Sequence, residues 1–91
     1  MGKILSNIYY VRIQKTLVEA SEGSLTNKII EDAGDDISSL GLNSLTFLRW
    51  IVLLEEEFDI EFDMEKLFLE ESIIWSFTSL INYLSQEIAK V

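Results

Sequence analysis

The chain has 91 residues, 48% of them hydrophobic, and a formal net charge of −9, which predicts one small folded domain rather than a disordered chain. It contains no cysteine and no histidine, which excludes disulfides and removes the usual general base of a hydrolase and the usual ligands of a zinc site. Residues 31–91 carry fourteen acidic and three basic side chains, so nucleic acids and anionic membranes are unsuitable partners, whereas basic protein surfaces are suitable.

The first predicted helix covers roughly residues 3–20 and has two candidate buried faces. One apolar stripe consists of Leu5, Tyr9, Ile13 and Leu17, and the other of Ile4, Ile8, Val11 and Val18. Both have helical spacing, so the pattern does not decide which stripe faces the core. The apolar start is interrupted by Ser6 and Asn7, which does not fit a signal peptide, and a cytoplasmic location is expected.

Residues 21–43 form a long connection rich in Ser, Gly, Asp and Asn. Apolar residues interrupt it at Leu25, Ile29, Ile30, Ile37 and Leu40. A connection of this length is unusual in a compact domain. We therefore predict an ordered loop that is fixed to the core and contains a helical turn at residues 27–31. Long ordered loops of this kind are more often functional than accidental.

The second helix, Ser44 to Phe58, has the clearest pattern. Its apolar residues recur at helical spacing on one face: Phe47, Trp50, Ile51, Leu54 and Phe58. Asn43 is a suitable N-cap residue. The helix ends in Glu55, Glu56, Glu57 and Asp59. These have the unfavourable charge for a helix C-terminus, so some compensating interaction is expected.

Two further helices complete the predicted fold. A short helix begins at Asp63 and runs through Met64, Leu67 and Phe68. The last helix begins near Ser76, its predicted N-cap residue, with a hydrophobic staple between Trp75 and Leu80. Its buried stripe consists of Phe77, Leu80, Ile81, Leu84 and Ile88. The predicted fold is all-α, a small four-helix bundle with three longer helices, one short helix and a long ordered first loop, in a single domain of residues 1–91.

Ser44 stands at the start of the second helix, behind a loop that contains Gly41. A helix N-terminus offers unpaired N–H groups and a positive dipole end, so it suits a phosphate ester. Catalysis by Ser44 would need an activating base, yet the chain has no histidine and no Gly-x-Ser-x-Gly motif. The position of Ser44 at a helix start is, by itself, also compatible with a serine that has no functional role.

The face of this helix opposite the core carries a narrow apolar strip. Leu45, Leu48 and Val52 lie there beside Arg49, Glu55 and Glu56. Such a strip suits transient docking to a partner. The alternative is that loop residues cover it, with Leu45 the first to be covered; the candidates are Leu25, Ile29, Ile30 and Leu40.

Residues 40–45 have the sequence Leu-Gly-Leu-Asn-Ser-Leu and residues 54–58 the sequence Leu-Glu-Glu-Glu-Phe, and together these two segments resemble the acyl and peptidyl carrier proteins. That family begins its second helix with Leu-Gly-x-Asp-Ser-Leu, and this chain has Leu40-Gly41-Leu42-Asn43-Ser44-Leu45. The family's helix continues into a Leu-Glu-Glu-Glu-Phe-type ending, and residues 54–58 repeat that ending at the family's spacing. The upstream Asp35-Asp36-Ile37, the acidity and the helical pattern extend the similarity over most of the chain.

The resemblance implies a non-catalytic carrier with 4′-phosphopantetheine, derived from coenzyme A, esterified to Ser44. The thiol of that arm would hold acyl or aminoacyl thioesters for fatty-acid, polyketide or nonribosomal-peptide biosynthesis. The implied partners are a phosphopantetheinyl transferase, a loading ligase or synthase, and downstream enzymes, with the carrier a monomer that does not enter the membrane. The implied docking residues are Asn43, Leu45, Leu48, Arg49, Val52, Glu55 and Glu56.

Two departures from the family pattern suggest a specialised, secondary-metabolic carrier. Asn43 replaces the usual aspartate, and Arg49 stands where many relatives have an acid. An unmodified adaptor that binds partners through the second helix is therefore the alternative.

A calcium-binding loop is a weaker rival, because Met64 occupies the position that requires glycine in an EF-hand. Its acids would be Asp59, Glu61, Asp63, Glu65 and Glu70.

Overall fold

The computed structural model describes residues 8–63, 65 and 73–89. Its helices are α1 (Ile8–Ala20), α2 (Asn27–Asp32), a 3-10 helix (Ile37–Leu40), α3 (Ser44–Phe58) and α4 (Phe77–Ala89). The predicted all-α bundle with three longer helices and an ordered first loop is confirmed. The helical turn predicted at residues 27–31 is the short helix α2. The short helix predicted through Met64, Leu67 and Phe68 lies outside the described residues.

Helix α1 buries the first of its two predicted stripes. Ile13 and Leu17 have no exposed surface, whereas Ile8 and Val11 of the other stripe are 70% and 51% exposed. The predicted stripe did not include Tyr10, which is also buried. Residues 3–7, where each stripe was predicted to begin, lie outside the described part of the chain.

A buried hydrogen bond joins α1 to α3 in the core. The Trp50 indole Nε1 donates to Thr16 Oγ1 at 3.0 Å, and the Thr16 hydroxyl donates to the Ile13 carbonyl oxygen at 2.6 Å. Both side chains are buried, so the bond satisfies a donor whose burial would otherwise be costly. The predicted core face of α3 is confirmed: Trp50, Ile51, Leu54 and Phe58 are buried, and Phe47 packs against them half-buried.

Contacts from α1 and from the chain after α3 compensate the acidic end of α3. Glu57 Oε2 accepts a hydrogen bond from Arg12 Nε at 2.8 Å, and Lys15 Nζ lies 3.7 Å from Glu57 Oε1. The Arg12 guanidinium also lies over the Phe58 ring. The hydrogen bond from Arg12 is the main reason that the pKa of Glu57 is lowered. Glu55 accepts from the Phe62 backbone N–H at 2.8 Å. Asp59 ends the helix in the left-handed conformation.

The long first loop is hydrogen-bonded to the start of α4. The Ile37 N–H donates to the Trp75 carbonyl oxygen at 3.0 Å, and the Phe77 N–H donates to the Asp35 carbonyl oxygen at 2.9 Å. The Asp35 carboxylate accepts from Ser76 Oγ at 2.6 Å and from both the N–H and the hydroxyl of Thr78 at 2.8 Å. Asp35 therefore caps a helix that begins 42 residues later.

Helix α4 packs with the predicted stripe and one further residue. Phe77, Leu80 and Leu84 are fully buried, and Ile81 and Ile88 are partly buried. Tyr83, outside the predicted stripe, is also buried and stacks on Phe62 with ring centroids 5.7 Å apart. Ser76 is the N-terminal cap, as predicted, since its Oγ accepts from the Ser79 N–H at 3.3 Å.

Asp35→Ala is expected to lower the free energy of unfolding by about 2–4 kcal/mol, because it removes a helix cap and two hydrogen bonds to a charged acceptor. Urea denaturation followed by far-UV circular dichroism measures this. Asp36→Ala is the matched control, since Asp36 caps only the 3-10 helix through the Ser38 N–H, and its loss should be smaller. Equal losses for the two variants would contradict the role given to Asp35.

The contribution of Asp35 is also expected to depend on pH. Burial raises the pKa of its carboxyl, but the hydrogen bonds from Ser76 and Thr78 outweigh burial, and the net pKa is lowered. A lowered folded pKa means stability that is fully present above the ordinary aspartate value of about 4 and lost as the pH falls further. Asp35→Asn should therefore flatten the loss of stability below pH ~4.

Candidate functional site

Ser44 is the first residue of α3 and its side chain is exposed. Asn43 caps the helix as predicted: its Oδ1 accepts from the Thr46 N–H at 2.8 Å and its carbonyl oxygen from the Phe47 N–H at 2.8 Å. The N–H groups of Ser44 and Leu45 precede the first intrahelical bonds, so α-helix geometry leaves them without an acceptor in the helix. The site thus combines an exposed hydroxyl with two N–H donors at the positive end of a helix.

The approach to Ser44 depends on a glycine. Gly41 closes the 3-10 helix in the left-handed conformation, with φ 67° and its N–H bonded to the Ser38 carbonyl oxygen at 3.4 Å. A Cβ atom there would meet no heavy atom within 4 Å. The backbone conformation, rather than lack of space, therefore favours glycine. The left-handed residue turns the chain from the 3-10 helix into the N-terminus of α3.

A shallow apolar depression of about 320 Å³ lies beside the Ser44 hydroxyl. Its lining consists of Leu42, Asn43, Ser44, Phe47, Leu48 and Trp75. The rings of Phe47 and Trp75 stack with centroids 5.3 Å apart. No ionisable side chain lines the depression, so its described walls offer apolar contact rather than acid–base chemistry.

The predicted apolar strip on α3 is open to solvent. Leu45, Leu48 and Val52 are 60%, 53% and 51% exposed. The alternative, in which loop residues cover the strip and Leu45 first, is wrong, because Leu45 is the most exposed of the three. The candidate covering residues lie elsewhere: Ile30 is in the core, Leu25 and Leu40 pack against the core, and Ile29 is itself exposed.

The three predicted charged docking residues have different surroundings. Arg49 is paired with Glu22, with Nη1 and Oε1 2.9 Å apart. Glu55 is half-buried, and its carboxylate accepts a hydrogen bond from the Phe62 N–H in the chain after α3. Glu56 is exposed. The strip and Glu56 therefore share one accessible face, and Arg49 is partly neutralised on it.

Sequence reasoning missed Trp75 and Glu22 as neighbours of the site. Trp75 was assigned only to the staple with Leu80, but its ring stacks on Phe47. Glu22 belongs to the turn after α1 and reaches Arg49 across 27 residues of sequence. No local pattern marks either contact, because both depend on how the first loop and α1 pack against α3.

The described residues include no group of three or more His, Cys, Asp or Glu side chains that could hold a metal ion. Asp59 of the rival calcium loop instead terminates α3, and Glu70 lies outside the described residues. Within the same ranges, no helix is long and apolar enough to cross a membrane.

Asn43→Ala is expected to lower the free energy of unfolding by about 1 kcal/mol through loss of the cap. Asn43→Asp keeps the acceptor and adds a negative charge at the helix N-terminus, so it should raise stability by about 0.3–1 kcal/mol. Thermal denaturation of the two variants beside the parent measures the difference. Changes of the same sign in both variants would contradict the capping role.

Comparison with known proteins identifies the family. The family model described as the phosphopantetheine attachment site matches residues 18–73, more than half of the chain. No curated protein and no solved structure matches. The matched range contains the Gly41 turn, Ser44 and all of α3, and the cofactor of this family is covalently attached 4′-phosphopantetheine. The resemblance found in the motifs is thus confirmed, and the chain belongs to the phosphopantetheine attachment site family of carrier proteins.

Proposed function

We propose that Ser44 Oγ carries the 4′-phosphopantetheine arm. We also propose that residues 1–91 act as a single carrier domain for acyl or aminoacyl thioesters, handed between enzymes of fatty-acid, polyketide or nonribosomal-peptide-type biosynthesis. The observation that carries the proposal is the exposed Ser44 hydroxyl at the capped N-terminus of α3, inside the range matched by the family.

The surroundings of Ser44 suit a phosphodiester. The unpaired N–H groups of Ser44 and Leu45 and the positive end of the helix dipole favour a negatively charged group at this position. Ser38 and Ser39 are less suitable, because their hydroxyls already donate to the carboxylate and the carbonyl oxygen of Asp36. No described residue makes a corresponding bond to the Ser44 hydroxyl.

Attachment requires a separate enzyme. The Ser44 oxygen forms the new bond to phosphorus, its proton goes to a base, and adenosine 3′,5′-bisphosphate leaves coenzyme A. The chain has no histidine and the lining beside Ser44 contains no ionisable side chain, so a transferase would supply the base. This supports a substrate and carrier role rather than a catalytic one.

The bound arm supplies the thiol that this cysteine-free chain lacks. The chain's own residues would present the arm and limit its motion. Phe47 and Trp75 offer an apolar surface beside the attachment point, where the arm or a short apolar cargo can rest without entering the bundle.

Intact-protein mass spectrometry tests the proposal. The purified chain is incubated with coenzyme A, magnesium and a broad-specificity phosphopantetheinyl transferase, with a parallel sample that lacks the transferase. A gain of one phosphopantetheinyl group, only with the enzyme present, is expected. No gain with several transferases, on protein shown to be folded by circular dichroism, would favour the unmodified adaptor.

A further inference from the structure

The Asp35 side chain ties the first loop to the start of α4. Its Oδ2 accepts from Ser76 Oγ at 2.6 Å, and its Oδ1 accepts from the N–H and the hydroxyl of Thr78, both at 2.8 Å. The residue just before this contact, Trp75, lines the depression beside Ser44. Resting on the proposed function, we propose that Asp35 is a positioning residue for the phosphopantetheine arm, because it holds Trp75 where the apolar part of the arm packs.

The main chain at Trp75 is held from both sides. Its carbonyl oxygen accepts from the Ile37 N–H at 3.0 Å, and the Phe77 N–H donates to the Asp35 carbonyl oxygen at 2.9 Å. An antiparallel backbone bridge lies between these two bonds. The Asp35 carboxylate adds bonds to a charged acceptor, which are roughly twice as strong as neutral ones. Asp35 therefore fixes the Trp75 main chain relative to the first loop.

The first loop also carries the other wall of the depression. From Asp35 the chain runs through the 3-10 helix and the Gly41 turn to Ser44. Leu42 lines the depression from this loop, and Trp75 lines it from the start of α4. A shift of the loop against α4 would change the separation of the two walls. The contact made by Asp35 opposes such a shift.

Ring stacking alone does not fix the Trp75 side chain. The rings of Phe47 and Trp75 have centroids 5.3 Å apart, and Trp75 is only half-buried. One aromatic pair adds little beyond its buried area, and a half-exposed side chain has access to other rotamers. The indole stays beside Ser44 because its main chain is held in place.

The part of the arm that suits the depression is the carbon with two methyl groups next to the phosphate. One methylene group joins this carbon to the phosphate oxygen, so it stays close to Ser44 when the phosphate is attached there. The depression has a volume of about 320 Å³ and an apolar lining that includes Phe47, Leu48 and Trp75. Covering apolar surface is favourable. Because the arm is tethered, its effective concentration is high, and a weak contact is enough to restrain it.

Nuclear magnetic resonance of the holo protein tests the inference. The chain is isotope-labelled and the arm is added from unlabelled coenzyme A by the transferase, so isotope filtering separates arm protons from protein protons. Protons above an aromatic ring resonate upfield. The arm methyl groups should therefore lie upfield of those in free phosphopantetheine, and they should show nuclear Overhauser effects to the Trp75 indole.

Asp35→Ala should move both methyl resonances toward their free positions and weaken the Overhauser effects. Trp75→Ala should remove the shift caused by the indole. Asp35→Ala added to Trp75→Ala should then change the resonances little further, because the two residues act through one contact. Thr78→Val removes only one hydroxyl donor to Asp35 and should cause a smaller shift in the same direction. This milder variant decides the test if Asp35→Ala does not fold.

Ile13→Val is the matched control, since it weakens the core in α1 away from the depression. Circular dichroism establishes that each variant is folded, and the control should keep the methyl resonances of the parent. An equal change in the control would reduce the effect to lost stability and overturn the inference.

Three other results would overturn it. One is methyl resonances at their free positions in the parent, and another is unchanged resonances in both Asp35→Ala and Thr78→Val. The third is a full effect of Asp35→Ala in the absence of the Trp75 indole. All three are measured on holo protein and leave the carrier proposal standing, whereas a folded chain that takes up no arm overturns both.

Discussion

Ser44→Ala is expected to abolish attachment of phosphopantetheine completely while the protein remains folded. The substitution removes the only atom to which the arm is proposed to be bonded. Ser44 is exposed, Asn43 rather than Ser44 caps α3, and alanine is the best helix former. The free energy of unfolding should therefore change by no more than about 0.5 kcal/mol. Intact mass after the transferase reaction and urea denaturation measure the two effects.

Ser39→Ala is the matched control for the loss of modification. Ser39 is exposed and lies in the 3-10 helix just before the Gly41 turn. It should be modified to the same extent as the parent chain. Retained modification in Ser44→Ala, with loss in Ser39→Ala, would move the attachment point out of α3.

Trp50→Ala is expected to lower the free energy of unfolding by about 3–5 kcal/mol, the usual cost of truncating a large buried aromatic side chain. Trp50 has no exposed surface, packs edge-on against Phe47 with ring centroids 6.2 Å apart, and donates its indole N–H to Thr16. The variant loses these contacts and leaves a cavity where α1 meets α3. It also deprives the buried Thr16 oxygen of a donor.

This loss is large relative to the total stability of about 5–15 kcal/mol typical of a small domain. Urea denaturation followed by far-UV circular dichroism should show a lower midpoint for Trp50→Ala, or no cooperative transition at all. Trp50→Phe is the graded control, because it keeps most of the apolar volume but loses the indole donor. A loss below about 1 kcal/mol in Trp50→Ala would contradict the central position given to Trp50.

The features predicted best from the sequence are those that depend on neighbouring residues. The limits of α3, its buried face and the Asn43 cap follow from helical spacing and from one residue before the first turn. The same local reasoning found the Ser76 cap and most of the buried stripe of α4. The motif around Ser44 was also local, and it was sufficient to identify the family.

The features missed depend on contacts between residues far apart in sequence. Asp35 caps α4 by accepting from the Thr78 N–H, 43 residues away in sequence, and Glu22 neutralises Arg49 across 27 residues. Thr16 is buried because it accepts the indole N–H of a residue 34 positions later. Spacing along one helix carries no information about such partners. For the same reason, helical spacing did not decide whether loop residues cover Leu45.

Peptide-level mass spectrometry of the chain after the transferase reaction tests the central claim most directly. The protein is digested, and the fragment ions that carry the phosphopantetheinyl group are assigned to a residue. The carrier proposal predicts the group on Ser44 alone, in full yield. A group on Ser38, Ser39 or any other hydroxyl, or a folded chain that stays unmodified, would contradict it.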